Sequence, residues 1–215
     1  MLKPEDFFEL NDFEHRALFE GIEFVWEALA RLPGYLQTQL TSGVQGTIGS
    51  GAVIGDQVYI GPGTVVEPGV TITGPAIIGA DCFLRQGAYL REHVILSRGA
   101  LVGHASEVKH SILLPGASAP HFSYVGDSIL GAQVNLGAGT TCSNFRLDGE
   151  EIVVEIEGKR YFTGLLKFGA VVGDDTRTGC NCVLNPGTLL GPRSRIYPCC
   201  WVRGYHLPDS VVKPP

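Results

Sequence analysis

Six histidines are scattered along the chain, at 15, 93, 104, 110, 121 and 206. His121 follows Ala119-Pro120 and stands beside Ser123 and Tyr124. An imidazole titrates near neutrality, so a histidine at such a place suits the removal of a proton from a nucleophile at cellular pH. Taken alone, a histidine in a loop is ordinary. His104 and His110 are six residues apart and are read as stacking on one face of the fold, as surface residues. Two histidines on one face raise the question of a metal, but no third histidine falls in register and no carboxylates stand ready to orient them. No metal is expected.

The element that must carry these residues repeats every six positions. Ile48, Ile54, Ile60, Val66, Ile72, Ile78, Leu84, Leu90, Leu96, Val102, Val108 and Leu114 are all aliphatic. The beat returns at Val172, Thr178, Leu184, Leu190, Ile196 and Val202. Period six fits neither a helix nor a lone half-buried strand. It fits a short strand, a corner, and another strand, three of which close one coil of a solenoid. The expectation is all-β: a left-handed parallel β-helix of hexapeptide repeats. About twenty-one rungs make about seven coils, roughly 33 Å tall at the usual strand spacing.

Two interruptions stand out, because loops leaving a regular scaffold carry chemistry more often than its flat faces do. Pro120 breaks the count, so Pro120–Tyr124 is expected to leave the coil as a loop. The second break, at about 146–167, alternates Ile152, Val154 and Ile156 with Val153, Glu155 and Glu157 before Gly158, which reads as an inserted β-hairpin.

Residues 1–42 read as a helical cap and 43–215 as the β-helix. Asn11 with Glu14 resembles a helix start. Phe13, Leu18, Ile22, Val25, Trp26 and Leu29 form a stripe at helical spacing, and Pro33-Gly34 should stop the helix. The stripe is expected to pack on the first coil, whose open end would otherwise expose strand edges. Among 215 residues the net charge is −6 and no Lys/Arg run occurs, which argues against nucleic acid as a partner. No apolar run is long enough to cross a membrane, and MLKPEDFFEL has neither the charge nor the cleavage site of a secretory signal. The six cysteines form no Cys-x-x-Cys pair, so reduced, mostly buried thiols in a cytoplasmic protein are expected.

Several short motifs follow one another in order: Arg91; Glu107-Val108-Lys109; His121-Phe122-Ser123-Tyr124-Val125-Gly126-Asp127; Val134-Asn135-Leu136-Gly137-Ala138-Gly139-Thr140; Asn144-Phe145. This set resembles the acetyltransferase domain of the bifunctional glucosamine-1-phosphate acetyltransferase/N-acetylglucosamine-1-phosphate uridylyltransferases, over about residues 45–205. The resemblance implies an enzyme that transfers an acetyl group from acetyl-CoA to the amine of an amino-sugar 1-phosphate, with glucosamine and galactosamine both open. It implies His121 as general base, and direct attack of the amine on the thioester. It implies Arg91 and Lys109 at the sugar phosphate, Tyr124, Asn135 and Asn144 at the sugar, and Ala138 and Cys180 at acetyl-CoA. A backbone N–H near Gly137-Ala138 would meet the oxyanion. A homotrimer is implied, with sites between neighbouring prisms.

The chain departs from that family in four ways. No Gly-rich nucleotide loop precedes the repeats, so uridylyl transfer is not expected. Phe145 stands where tyrosine is usual. His104 replaces an asparagine and Cys180 a serine. The chain ends at Pro215 without the family's basic tail, for which Arg193, Arg195 and Arg203 are the available substitutes. Acyl transfer to another amino or nucleotide sugar, and a scaffold subunit without turnover, are the alternatives.

Overall fold

The computed structural model describes residues 2–214; Met1 and Pro215, the outer ends of the expected cap and β-helix, lie outside the described residues. The hexapeptide beat folds as a triangular parallel solenoid. One face, A, stacks nine strands from Gly43–Val44 to Tyr205–His206. Face C stacks eight. Face B has a run of five and a run of three, bridged through Asn135 to Ser118 on one side and Arg177 on the other. The solenoid therefore has nine coils rather than about seven. The extra rungs escape an aliphatic count because Ala119, Cys142 and His206 occupy rung positions, or because Val44 and Val212 sit at the two ends.

The inward residues form one continuous column, from Ile60 and Val66 through Leu130 and Leu136 to Leu190 and Val202. Burying each such side chain contributes about 1.5–3 kcal/mol. The column shortens its step to five residues between Val108 and Leu113, since Leu96 pairs with Leu113 and Val102 with Ala119. Straight sixes from Val108 land on Leu114 and then on Pro120. The true beat falls on Leu113 and Ala119, which leaves Pro120 as an outward strand position. Pro120–Tyr124 is therefore not a loop: Ser118–His121 and Tyr124–Gly126 are both strands, and only Phe122-Ser123 turns the corner. Gly103 lies directly over Pro120 in the coil before. A Cβ on it would drive into the Pro120 carbonyl, so a glycine is needed there.

The N-terminal segment does not form the expected helix and does not cap the first coil. Phe13 to Val25 run through a short 3-10 turn, Arg16–Phe19, and irregular backbone. The one α-helix among the described residues, α1, spans Glu27–Gln39 and continues through Pro33-Gly34. Helical spacing in residues 13–25 reflects burial from several sides: Phe8, Phe13 and Phe19 pack edge to face, and Phe24 stacks flat on Trp26 at 4.8 Å. The segment lies along the flank of the prism, over face A, where Ile77, Ile95, Ile112, Ile129, Val171 and Leu189 point outward into it. Strands buried on both sides read as unbroken apolar runs, as in Val94-Ile95-Leu96. The first coil itself stays open, with Val44 52% exposed.

The insertion is a hairpin as expected, Val153–Ile156 against Lys159–Phe162, turned by Glu157 and Gly158, both at positive φ. Ile152, Val154 and Ile156 join the buried layer over face A, and Tyr161 meets Phe24.

Candidate functional site

The coil geometry separates the sequence-identified residues into two groups, on the two edges of face C. Arg91, Lys109 and Asn144 lie at the edge where face C turns into face A, each just after or at the end of a strand: Tyr89–Leu90, Glu107–Lys109 and Thr141–Cys142. Leu90 pairs with Val108, so Arg91 lies directly over Lys109, as the eighteen-residue spacing requires. Tyr124 opens the next strand of the same face and lies beside Glu107.

Side chains tie this first group together. Lys109 Nζ is held by both carboxylate oxygens of Asp127, at 3.3 and 3.2 Å, and both side chains are nearly buried. Asn144 Nδ2 donates to Asp127 Oδ2 and, at 3.2 Å, to Tyr124 Oη. Arg91 pairs with Glu107 at 3.2 Å and with Glu92 at 3.5 Å, and stays more open than Lys109. Burial, then the charges of Asp127 and Glu107, push the Tyr124 hydroxyl above its ordinary pKa, so it stays protonated at neutral pH. Two cations thus face three carboxylates, with Asp127 central. Gly126 makes the arrangement possible. A Cβ there would lie 2.6 Å from Tyr124 Oη and 2.7 Å from Asn144 Nδ2.

The inserted hairpin fixes Asn144 from the other side. The excursion starts at this residue and returns at Phe168, whose N–H donates to the Asn144 carbonyl at 3.0 Å, while Phe145 bridges Lys167. Phe168 is fully buried against Trp26.

The second group lies at the edge between faces B and C. His121 ends its strand there and is exposed, opposite His104 in the coil before. Ala138 and Cys180 follow in the next coils: Gly139 N–H donates to the His121 carbonyl and Asn181 N–H to that of Ala138. Asn135 is exposed on face B in register with Ser118, the first residue of the strand that His121 ends, and so lies on the far side of that face from His121. Gly137 N–H is already spent on Thr178 Oγ1 and Gly139 N–H on His121, which leaves that of Ala138. Five residues along face C separate His121 from the level of Lys109 and Gly126, on the order of 15 Å of strand. Within one chain, His121 and the Arg91–Lys109 group are not brought together.

Six residues advance the chain by one face, so His104 and His110 do not stack. His104 ends a strand on face B, and its Nδ1 contacts the Gln86 carbonyl at 2.7 Å. His104 is exposed, as expected, whereas His110 is half-buried. It follows Lys109 under α1, beside His93 at 5.4 Å, and its Nε2 donates to the Leu29 carbonyl at 3.0 Å. Among the described residues no cluster of three or more His, Cys, Asp or Glu could hold a metal. Cys82 and Cys142 are buried thiols pushed up to about 11 and about 12, which makes them poor nucleophiles, whereas Cys180 and Cys199 are exposed.

Asp127 and Glu107 are the residues that sequence reasoning left without a role. Asp127 closes the His121–Asp127 motif at positive φ, a sign that its position is specially held.

No model of a protein family matches the chain. The chain is 43% identical over 106 residues to the bifunctional sugar-1-phosphate nucleotidylyltransferase/acetyltransferase of Sulfurisphaera tokodaii, which covers 49% of this chain and 26% of that protein. It is 40% identical over 110 residues to the bifunctional protein GlmU of Methanococcus vannielii, covering 51% of this chain and again 26% of the relative. The chain thus spans about a quarter of the length of these curated relatives. Among solved structures, an Arabidopsis UDP-N-acetylglucosamine acyltransferase aligns over 75% of this chain and 68% of its own at 14% identity, with a TM-score of 0.40. Over about half its length, then, the chain is a homologue of proteins named as bifunctional sugar-1-phosphate nucleotidylyltransferase/acetyltransferases.

Proposed function

We propose that the protein is an acetyl-CoA-dependent N-acetyltransferase acting on an amino-sugar 1-phosphate, and that it works as a cytoplasmic homotrimer. The observation that carries this reading is the division of one residue set between the two edges of face C. One edge offers a polar cluster of Arg91, Lys109, Tyr124 and Asn144. The other offers the exposed His121 beside a bare stretch, Gly137-Ala138-Gly139 and Gly179-Cys180. A neighbouring prism laid edge to edge would complete a site from the two halves.

The bare edge fits an extended pantetheine arm, because no bulky side chain covers Ala138 or Cys180. The acetyl group would arrive there as a thioester. The sugar amine, freed of its proton by His121, forms a bond to the thioester carbonyl carbon. The carbonyl electrons move to oxygen, toward the Ala138 N–H, and return as the carbon–sulfur bond breaks. As the thiolate leaves, the nitrogen gives up its second proton to it, giving the amide and free coenzyme A. No covalent enzyme intermediate is needed. Arg91 supplies a planar fork for phosphate oxygens, but it must first exchange Glu107 for them.

That prior pairing supports a second reading, acetyl transfer to an amino sugar without phosphate, since both cations of the cluster are already paired with carboxylates. The two are separated by incubating the protein with acetyl-CoA and matched amino sugars, with and without the 1-phosphate, and identifying the amide by mass spectrometry. Faster turnover of the phosphorylated partner supports the first reading. Faster turnover of the neutral sugar supports the second. No amide with any amine removes both.

No helix among the described residues is long and apolar enough to cross a membrane.

A further inference from the structure

We propose that Asp127 is a positioning residue that fixes the Tyr124–Asn144 pair as a donor and an acceptor for one hydroxyl group of the acceptor sugar. The inference rests on the acetyltransferase reading for the identity of the ligand, but its geometry stands by itself.

A carboxylate at neutral pH only accepts hydrogen bonds. The group of Asn144 that meets Asp127 must therefore be the NH2, and its second proton goes to Tyr124 Oη. Both amide protons are spent. The Asn144 Oδ1 has no protein partner among the described residues, so what it offers a ligand is an acceptor. Tyr124 accepts from Asn144 through its oxygen and keeps its own O–H proton, which has no protein acceptor among the described residues. A free donor and a free acceptor thus stand side by side. A hydroxyl matches both: its oxygen takes the Tyr124 proton and its proton goes to Asn144 Oδ1. A phosphate oxygen would match only the tyrosine, and an ammonium only the asparagine.

Asp127 is built to hold this polarity. It is 5% exposed, and Lys109 is bound to both its oxygens, so the side chain is held in one orientation. Its backbone N–H donates to the Lys109 carbonyl at 2.9 Å, and its carbonyl accepts from Gly169 at 2.8 Å. Gly126, immediately before it, leaves the space in which Tyr124 and Asn144 meet.

In Asp127→Asn an amide faces Asn144. Lys109 claims its carbonyl, so its NH2 turns Asn144 over and presents the wrong group to the ligand. The paired exchange Asp127→Asn with Asn144→Asp restores an outward acceptor, because the carboxylate introduced by the second change accepts from the amide introduced by the first and keeps a free oxygen, while Tyr124 now donates to that carboxylate and is lost as a donor to the ligand. We expect Asp127→Asn to lower acceptor kcat/KM by about 10- to 100-fold, the cost of a mispaired polar group. The KM for acetyl-CoA should be unchanged, and the paired exchange, which restores the acceptor but not the donor, should recover part of the loss. In a series of monodeoxy acceptors, the analogue lacking the matched hydroxyl should lose a similar factor with the wild type and lose nothing further with Asp127→Asn. A loss shared equally by every analogue, or a folded paired variant no better than the single one, would overturn the proposal. If the wild type acetylates no amine, the functional reading fails and the polarity is read directly. With asparagine labelled by 15N, the Asn144 side-chain protons should exchange slowly in the wild type and fast in Asp127→Asn, and fast exchange in both would end the inference.

Discussion

His110 Nε2 donates a hydrogen bond of 3.0 Å to the carbonyl of Leu29, 81 residues earlier in the chain. Four residues after Leu29 comes Pro33, which has no N–H to give that carbonyl. The solenoid thus supplies the donor that the helix lacks. His110 directly follows Lys109, so the same bond ties the N-terminal segment to the polar edge of the candidate site.

The contact should behave as a coupled pair. His110→Ala leaves a buried carbonyl without a donor and should cost about 1–3 kcal/mol. In a Pro33→Ala background the helix can satisfy Leu29 itself, and the same change should cost clearly less. Urea unfolding of the four proteins of this cycle measures the difference, and equal costs in the two backgrounds would refute the link.

Acidification should loosen the fold. Burial holds His15, His93 and His110 below the ordinary histidine range; for His93 its neighbour His110 adds to this, while the charge of Asp127 opposes it at His110. The unfolded chain takes up these protons near pH 6.5, before the folded chain does. Below that pH the unfolded state binds more protons, so stability falls as pH falls. Asp174 works the other way. Burial raises it to about 6, so between about pH 4 and 6 the folded state is the one that holds the extra proton. The urea midpoint should therefore drop from pH 7 to pH 6 and change less steeply below that. His110→Gln, which keeps a donor for Leu29 but cannot titrate, should flatten the first drop.

Two glycines should respond in opposite ways to a single methyl group. A Cβ at Gly103 meets the backbone carbonyl of Pro120, which cannot step aside, so Gly103→Ala should destabilise by several kcal/mol, in the range of severe core changes. A Cβ at Gly126 meets only the ends of the Tyr124 and Asn144 side chains. Gly126→Ala should keep its melting temperature within a few degrees while losing most of its acetyl transfer. Thermal melting and activity measured on both variants decide this, and equal loss of stability at the two sites would contradict it.

The strand that carries His121 marks where the sequence pattern stops being legible. The six-residue beat identified the solenoid and the stacking of Arg91 over Lys109, because inward burial leaves a strict pattern. It misplaced Pro120–Tyr124 because one five-residue step, Val108 to Leu113, is invisible when Leu113 and Leu114 are both leucine. Leu114 is buried too, in the layer outside the barrel. The fate of residues 13–25 was hidden for a related reason. In an irregular segment the buried apolar residues, Phe13, Leu18, Phe19, Ile22 and Val25, fall where the winding backbone meets the prism, and helical spacing then carries no weight. A usable signal was present in the apolar triplets of face A, such as Val94-Ile95-Leu96, which mark the face that something must cover. Asp127 was passed over because its importance lies in partners 17 and 18 residues away, which only the coil brings together.

The central claim is that His121 removes the proton from the attacking amine. It is tested most directly by the rate of free thiol release from acetyl-CoA, with a saturating amino-sugar acceptor, in the wild type and in His121→Ala. Loss of a general base should lower kcat by about 100- to 10,000-fold, with the KM for acetyl-CoA little changed. Thiol release at the wild-type rate in a folded His121→Ala protein would contradict the account.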